Sequence, residues 1–476
     1  MKSIIIKNAN IHNLKNVSVK IPLQKLVVVV GPSGSGKTSL IYDVLYKSSQ
    51  GDKVECSISR LPNIFAIGQK VTVPKGLKAG LGEYNLQRLD RMVGNLKKND
   101  LLIVDEPCAG LNAEESVGVL NKLKKLVKSG KSVIAIEHSK EIIKGADSII
   151  EFGPKSGKYG GEIVFQGSLS RFKKSKSITA DYVFSDKAKN IHYKRNPSQK
   201  AKAMQKKSVT LQKINKNNLK NYTFKFPLGS LVCVFGSSGT GKSTILNVVY
   251  SALFKGKNAW KIREKRGTIK AIIGKQNVRR TYLVEQTSIG KHPTSRPATY
   301  LNIWDSIRDI YANLPKSKKA GLKKSNFIVT KKIIEGKEGF SLKVSLVKYR
   351  GVGIGDLLEL TIDEAVKIFS DSKLVKRKLK FLQEAGLGYL TLGQKSDSLS
   401  GGEAQRVRLA KVLSKKLGDR CIYILDTPTK GLHLSDLPVL VSVLQKIIDR
   451  NNTVLIADNK IEIINNSDYG VDMNKR

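Results

Sequence analysis

"NLKNVSVKIPLQKLVVVVGPSGSGKTSL", residues 13–40, aligns without a gap on "NLKNYTFKFPLGSLVCVFGSSGTGKSTI", residues 218–245. Each copy opens on alternating apolar residues that predict a half-buried strand. A continuous apolar run then predicts a buried strand, and glycines lead into a helix. Both copies contain GxxxxGK[ST], a phosphate-cradling loop. Its glycines let backbone N–H groups face phosphate oxygens, its lysine reaches the β and γ positions, and its hydroxyl ligates magnesium. The first loop comprises Gly31, Ser33, Gly34, Ser35, Gly36, Lys37, Thr38 and Ser39. The second comprises Gly236, Ser238, Gly239, Thr240, Gly241, Lys242, Ser243 and Thr244. Two such loops in matching strand–loop–helix contexts predict two nucleotide-binding α/β units.

The 476 residues suffice for two or three domains with substantial cores, and the 40% apolar share is that of a folded soluble protein. No apolar run approaches the ~20 residues that span a bilayer, so no membrane insertion is expected. The opening "MKSIIIKNANIHNLKN" lacks the layout of a signal peptide. Cys56, Cys108, Cys233 and Cys421 lie far apart without a CxxC pair. That pattern fits a reducing cytoplasm and argues against a disulfide framework or zinc fingers. The formal net charge of +46 favours a polyanionic partner, nucleic acid or an anionic surface. A lysine-rich bias spread over solvated faces is the plain alternative.

Between the repeats, residues 168–208 read "SLSRFKKSKSITADYVFSDKAKNIHYKRNPSQKAKAMQKKS". This stretch is rich in lysine and serine and poor in apolar periodicity, and it predicts a basic, partly disordered linker. The expected organisation is a first unit over 1–167, the linker over 168–208, and a second unit over 209–476.

The second unit carries "SDSLSGGEAQRVRLAKVL" (396–413), and LSGGE is the ABC signature. Wider stretches narrow the likeness: "YLVEQTSIGKHPTSRPATY" (282–300), "DLLELTIDEAVKIF" (356–369), "GLGYLTLGQKSDSLSGGEAQRVRLA" (386–410) and "YILDTPTKGLH" (423–433). Together with "IEHSKEIIKGADSIIEFGPKSGKYGGEIV" in the first unit, they resemble the UvrA family, the damage-recognising subunits of bacterial excision nucleases. The resemblance implies two tandem ABC-type P-loop cassettes packed head-to-tail, with a helical signature subdomain at about 356–413 in the second. It implies ATP and Mg²⁺ as cofactors, and each nucleotide held between one P-loop and the other unit's signature.

The sequence departs from that family in places. Only about 35 residues separate Gln69 from Asp105, too few for the modules the family inserts there. The slot for a zinc module, around 317–351, has no cysteine, so no zinc is expected. Recruitment of the usual next excision-nuclease subunit is not expected either.

Sorted by unit, the parts implied by the resemblance are unequal. The first unit has Lys37, Thr38, Gln69, Asp105, Glu106 and His138. Thr38, Gln69 and Asp105 would serve magnesium, Glu106 would polarise the attacking water, and His138 would sense the γ-phosphate. The intact signature, Ser400, Gly401, Gly402 and Glu403, would complete that site from the other cassette. The second unit has Lys242, with Ser243, Gln286 and Asp426 for magnesium, but Thr427 in place of the glutamate and Asp458 in place of the histidine. Its partner signature would be "LGEYNLQR" (81–88), which keeps Gln87 and Arg88 without the Ser-Gly-Gly clamp.

The expectation is one hydrolysing site and one degenerate, nucleotide-holding site in a cytoplasmic ATPase. It would act on nucleic acid, duplex DNA ahead of RNA, in damage recognition or a related role; the resemblance also admits self-association. A twin-cassette protein acting on the ribosome is the alternative.

Overall fold

The computed structural model describes residues 2–68, 81–185, 207–256, 267–284, 295–328, 333–334, 337–338, 340–414 and 419–475. The chain divides into two compact units, Met1–Val284 with Asp419–Arg476, and Glu285–Gly418.

The first compact unit holds both nucleotide-binding cores. In the first cassette six strands pair in the order Ile64–Ile67, Leu101–Asp105, Ser132–Ile136, Leu26–Val30, Ser148–Gly153, Glu162–Ser168. All pairings are parallel except the last. The second cassette repeats the plan with five parallel strands: Arg280–Val284, Cys421–Asp426, Thr453–Ala457, Leu231–Phe235, Tyr469–Asp472. The continuous apolar runs predicted this. "LVVVV" at 26–30 is buried at every position, as a central strand covered on both faces must be.

A small antiparallel sheet precedes each parallel one. In the first cassette Ser3–Ala9 pairs with Val17–Pro22 and Ser57–Ile58; in the second, Ser208–Lys216 pairs with Leu219–Pro227 and Ala271–Ile273. Their alternate residues enter the cores. Ile4, Ile6, Val19 and Ile21 pack on Val27 and Val29, while Val209, Leu211 and Phe224 pack with Val232 and Val234.

The joining segment differs from the linker expected over 168–208. Helices form at Leu169–Lys173 and Ile178–Phe184, and Phe172, Thr179, Ala180 and Val183 are buried. These helices are too short to show periodicity, and the serines that suggested a linker include a helix cap: Ser177 Oγ accepts from Ala180 N–H at 3.0 Å. Residues 186–206 lie outside the described residues.

The second compact unit is also larger than the signature subdomain expected at about 356–413. Trp304, Ile307, Tyr311, Phe327, Phe340 and Val344 share one core with Ile362, Leu379, Leu382 and Val407. The slot at 317–351 therefore contributes apolar side chains to this helical unit. Among the described residues no helix is long and apolar enough to cross a membrane.

Candidate nucleotide sites

Both P-loops follow a central parallel strand, at the strand ends where open α/β sheets bind ligands. Their conformations match: φ is +132°, +71° and +107° at Gly31, Gly34 and Gly36, and +140°, +78° and +97° at Gly236, Gly239 and Gly241. A Cβ on Gly31 would lie 2.3 Å from the carbonyl oxygen of Phe152, so only glycine fits there. Lys37 Nζ donates to the Gly31 and Pro32 carbonyls at 2.7 Å each. Lys242 Nζ does the same with Gly236 at 2.6 Å and Ser237 at 2.7 Å. The helix after the first loop is π-wound over Ser39–Tyr46, whereas its counterpart is α-helical over Lys242–Leu253.

The strand-end carboxylates come next. Asp105 closes its strand and is held well above the usual carboxylate range, first by burial and then by the neighbouring Glu106. Glu106 N–H donates to Ile136 O at 2.9 Å and takes a φ of +50°. Thr427 N–H donates to Ala457 O at 2.8 Å with a φ of +47°. The two frames are equivalent and only the side chain differs. Thr427 Oγ1 donates to Asp426 Oδ1 at 3.1 Å. Asp426 also accepts from Ser243, and burial raises its pKa. Ser243 and Asp426, the side chains expected to serve magnesium at the second site, are thus in contact.

The same frame corrects one assignment. Glu137 N–H donates to Val29 O at 3.3 Å, and Asp458 N–H to Val234 O at 3.1 Å. Cys108 N–H reaches Glu137 Oε1 at 3.0 Å, and Thr429 N–H reaches Asp458 Oδ2 at 3.1 Å. Asp458 therefore matches Glu137, a buried brace for the loop after the strand that ends in Asp105 or Asp426. The counterpart of His138 is Asn459, whose Oδ1 accepts from Gly236 N–H at 3.0 Å. The sequence motif was read one residue out of register because Asp458 and His138 are both polar residues just past a buried strand.

The cassettes meet head-to-tail. Ser33 Oγ donates to the Gly431 carbonyl at 3.0 Å, and Asn112 Nδ2 donates to Ser237 Oγ at 3.2 Å. Ser238 N–H donates to Glu115 Oε1 at 2.7 Å, placing a carboxylate of the first cassette on a P-loop amide of the second. Lys140 pairs with the buried Glu462 at 2.9 Å, and the rings of His138 and His433 meet edge-on. Between these contacts lies a cavity of about 150 Å³ lined by Glu106, His138, Lys242, Thr427, Lys430 and Asp458 among others. Burial lowers the Lys430 pKa, opposed by Glu106, Asp105 and Asp426. Burial, with Lys37 and His433, holds His138 well below the ordinary imidazole value, so the ring is neutral.

Sequence reasoning passed over Asn112, Glu115, Lys430, His433 and Asn459. The paired strings "CAGLN" (108–112) and "TKGLH" (429–433), each just past the strand that ends in Asp105 or Asp426, carried the signal for the interface loops.

Gln69 and Gln286 lie outside the described residues. Arg88, in the reduced signature helix Leu81–Asn95, donates to the Gly68 carbonyl at 3.2 Å, beside its own cassette's carboxylates. The intact signature belongs to the second compact unit. Ser400 N–H donates to Glu403 Oε2 at 2.8 Å, and Glu403 N–H to Ser400 Oγ at 3.3 Å, a reciprocal cap on helix Gly401–Ser414. Glu403 Oε1 also accepts from Tyr389 OH at 2.5 Å. Glu403 thus shapes the loop that presents Ser400 and Gly401, a bracing role beyond the ATP contact expected of it.

These residues fit a magnesium-bound nucleoside triphosphate: each P-loop aligns its amides and lysine, and Ser243 and Asp426 already meet. A family model described as ABC transporter matches residues 219–430. The UvrABC system protein A of Clostridium tetani is 35% identical over 422 residues, covering 82% of this chain and 44% of its own length. This chain is a UvrA-like ABC protein. The Aquifex aeolicus UvrABC system protein A is 35% identical over 424 residues, covering 82% and 45%. The UvrA-like chain therefore spans less than half the length of these relatives. In fold it is similar to the crystal structure of UvrA2 from Deinococcus radiodurans, with a TM-score of 0.82 and 21% identity, covering 99% of this chain and 95% of that one.

Proposed function

We propose that this UvrA-like chain hydrolyses ATP at the Lys37 site, holds nucleotide at the Lys242 site, and couples that asymmetry to duplex DNA. The observation that carries the reading is the pair of equivalent frames bearing Glu106 and His138 in one cassette and Thr427 and Asn459 in the other.

At the Lys37 site the P-loop amides and Lys37 would bind the phosphates, with Thr38, Gln69 and Asp105 around the metal. Bound Mg²⁺ would neutralise charge on the transferring phosphoryl group. Glu106 would orient and deprotonate water, and neutral His138 would donate or accept one hydrogen bond near the terminal phosphate. At the Lys242 site Thr427 cannot take up the proton, because an aliphatic hydroxyl is no base near neutral pH. The signature, Ser400 to Glu403, enters this reading on its sequence pattern alone.

Duplex DNA as partner is supported by the +46 charge and by the relatives, whose names place them in the UvrABC system. The test is steady-state ATP turnover of the chain, of Glu106→Gln and of Lys242→Ala, with duplex DNA or ribosomes. Stimulation by duplex DNA with loss in Glu106→Gln supports the proposal; stimulation by ribosomes alone moves the function to translation.

A further inference from the structure

The segment joining the cassettes enters their interface. Thr179, on helix Ile178–Phe184, is fully buried. Its hydroxyl lies 2.8 Å from Nε2 of His433 in the second cassette. It also bonds Oε1 of Glu151, on strand Ser148–Gly153 of the first, and Thr179 N–H reaches the same oxygen at 3.3 Å.

The direction of each bond follows from its neighbours. Glu151 is a carboxylate and only accepts, so the Thr179 hydroxyl donates to it and must accept from His433 Nε2–H; Nδ1 is then left as the acceptor for Ser435 N–H at 3.2 Å and the Ser435 hydroxyl at 2.7 Å. This fixes both the tautomer and the plane of the His433 ring.

That ring meets His138 with centroids 5.4 Å apart and planes at 83°. His138 is buried, and its Nδ1 has no hydrogen-bond partner among the described residues. The edge-on contact with His433 is thus a ring contact that reaches His138 from the second cassette.

We propose that Thr179 is a positioning residue for the Lys37 site: by bridging Glu151 and His433 it fixes the ring against which His138 is oriented. His138 is then set only while the joining segment and both cassettes are docked together. This rests on the reading of the Lys37 site as the hydrolysing one.

The test compares the full chain with Thr179→Val, which keeps the shape and removes the hydroxyl, and Thr179→Ser, which keeps the hydroxyl. Thr179→Val should lower kcat about tenfold, the low end of the cost of losing a partner that orients a functional histidine. The KM for ATP and the affinity for a fluorescent ATP analogue should stay unchanged, and Thr179→Ser should restore kcat. An unchanged kcat in Thr179→Val, with parental turnover still dependent on Glu106, overturns the proposal. Joint loss of kcat and ATP binding that serine does not rescue also overturns it, because a mere strap would behave so. Turnover that persists in Glu106→Gln contradicts the proposed function instead. A second readout needs no variant: ¹⁵N spectra of the parent chain should show His433 protonated on Nε2. Protonation on Nδ1 would refute the bridge.

Discussion

Thr427 stands on the same backbone as Glu106: both take a left-handed φ, +47° and +50°, and both donate N–H to the residue ending the neighbouring strand. A β-branched residue is unfavourable in that region, at a cost of about 1–2 kcal/mol. The second cassette thus has the backbone geometry that carries Glu106 in the first, with a hydroxyl in place of the carboxylate. Removing the base should therefore affect only one cassette. Glu106→Gln should lower ATP turnover by about 10²–10⁴, whereas Thr427→Ala should leave kcat nearly unchanged, as read by steady-state phosphate release.

Glu115 makes a separate demand on the second site. Its Oε1 occupies the Ser238 amide, and Asn112 N–H holds Oε2 at 2.8 Å. An incoming phosphate must displace or repel that carboxylate. In a Lys37→Ala background, where only the second site titrates, Glu115→Gln should tighten ATP binding about tenfold, or ~1.4 kcal/mol. Titration with a fluorescent ATP analogue reads this directly; weaker binding would show that Glu115 helps to shape the loop for nucleotide.

Asn459 closes the same loop from inside its own cassette, accepting from Gly236 N–H and reaching the Gly110 carbonyl at 3.5 Å. Asn459→Leu leaves a P-loop amide without its acceptor. A loss of about 1–3 kcal/mol is expected in denaturant unfolding, with faster release of nucleotide from the second site. Retention at the parental rate would assign Asn459 no part in holding nucleotide.

The interface should also weaken in acid. Burial, then Lys37 and Lys460, push His433 down to about 3. An unfolded chain takes up this proton near pH ~6.5, whereas the folded chain resists it until about 3. Below pH ~6.5 the unfolded state binds more protons, so stability is full above that pH and falls as pH drops, by up to ~1.4 kcal/mol per unit. His433→Asn should make the pH dependence of unfolding shallower over that interval. An identical slope would show that the ring protonates freely in the folded chain.

The sequence made the cassettes legible because a repeated glycine loop and two runs of buried strand are local signals. The doubled parallel sheets follow from apolar runs such as "LVVVV" and "LVCVF", and the small antiparallel sheets before them from alternation such as "VSVKIP". Pairings between residues remote in the chain were not legible. Ser33 with Gly431, Ser238 with Glu115, and Thr179 with His433 depend on docking two cassettes, which no local period encodes. Asn459 was not legible for a related reason. Its equivalence to His138 is defined by strand register, and the adjacent Asp458 offered a carboxylate in nearly the right place.

The most direct measurement counts phosphate released per chain in a single turnover. The chain is loaded with ATP at both sites without Mg²⁺, excess ATP is removed, Mg²⁺ is added, and the bound nucleotides are analysed over time. One phosphate per chain should appear rapidly while one ATP stays intact, and Glu106→Gln should abolish the rapid phase. Conversion of both ATP molecules at one rate, or a rapid phase that survives in Glu106→Gln, would contradict the division of labour between Glu106 and Thr427.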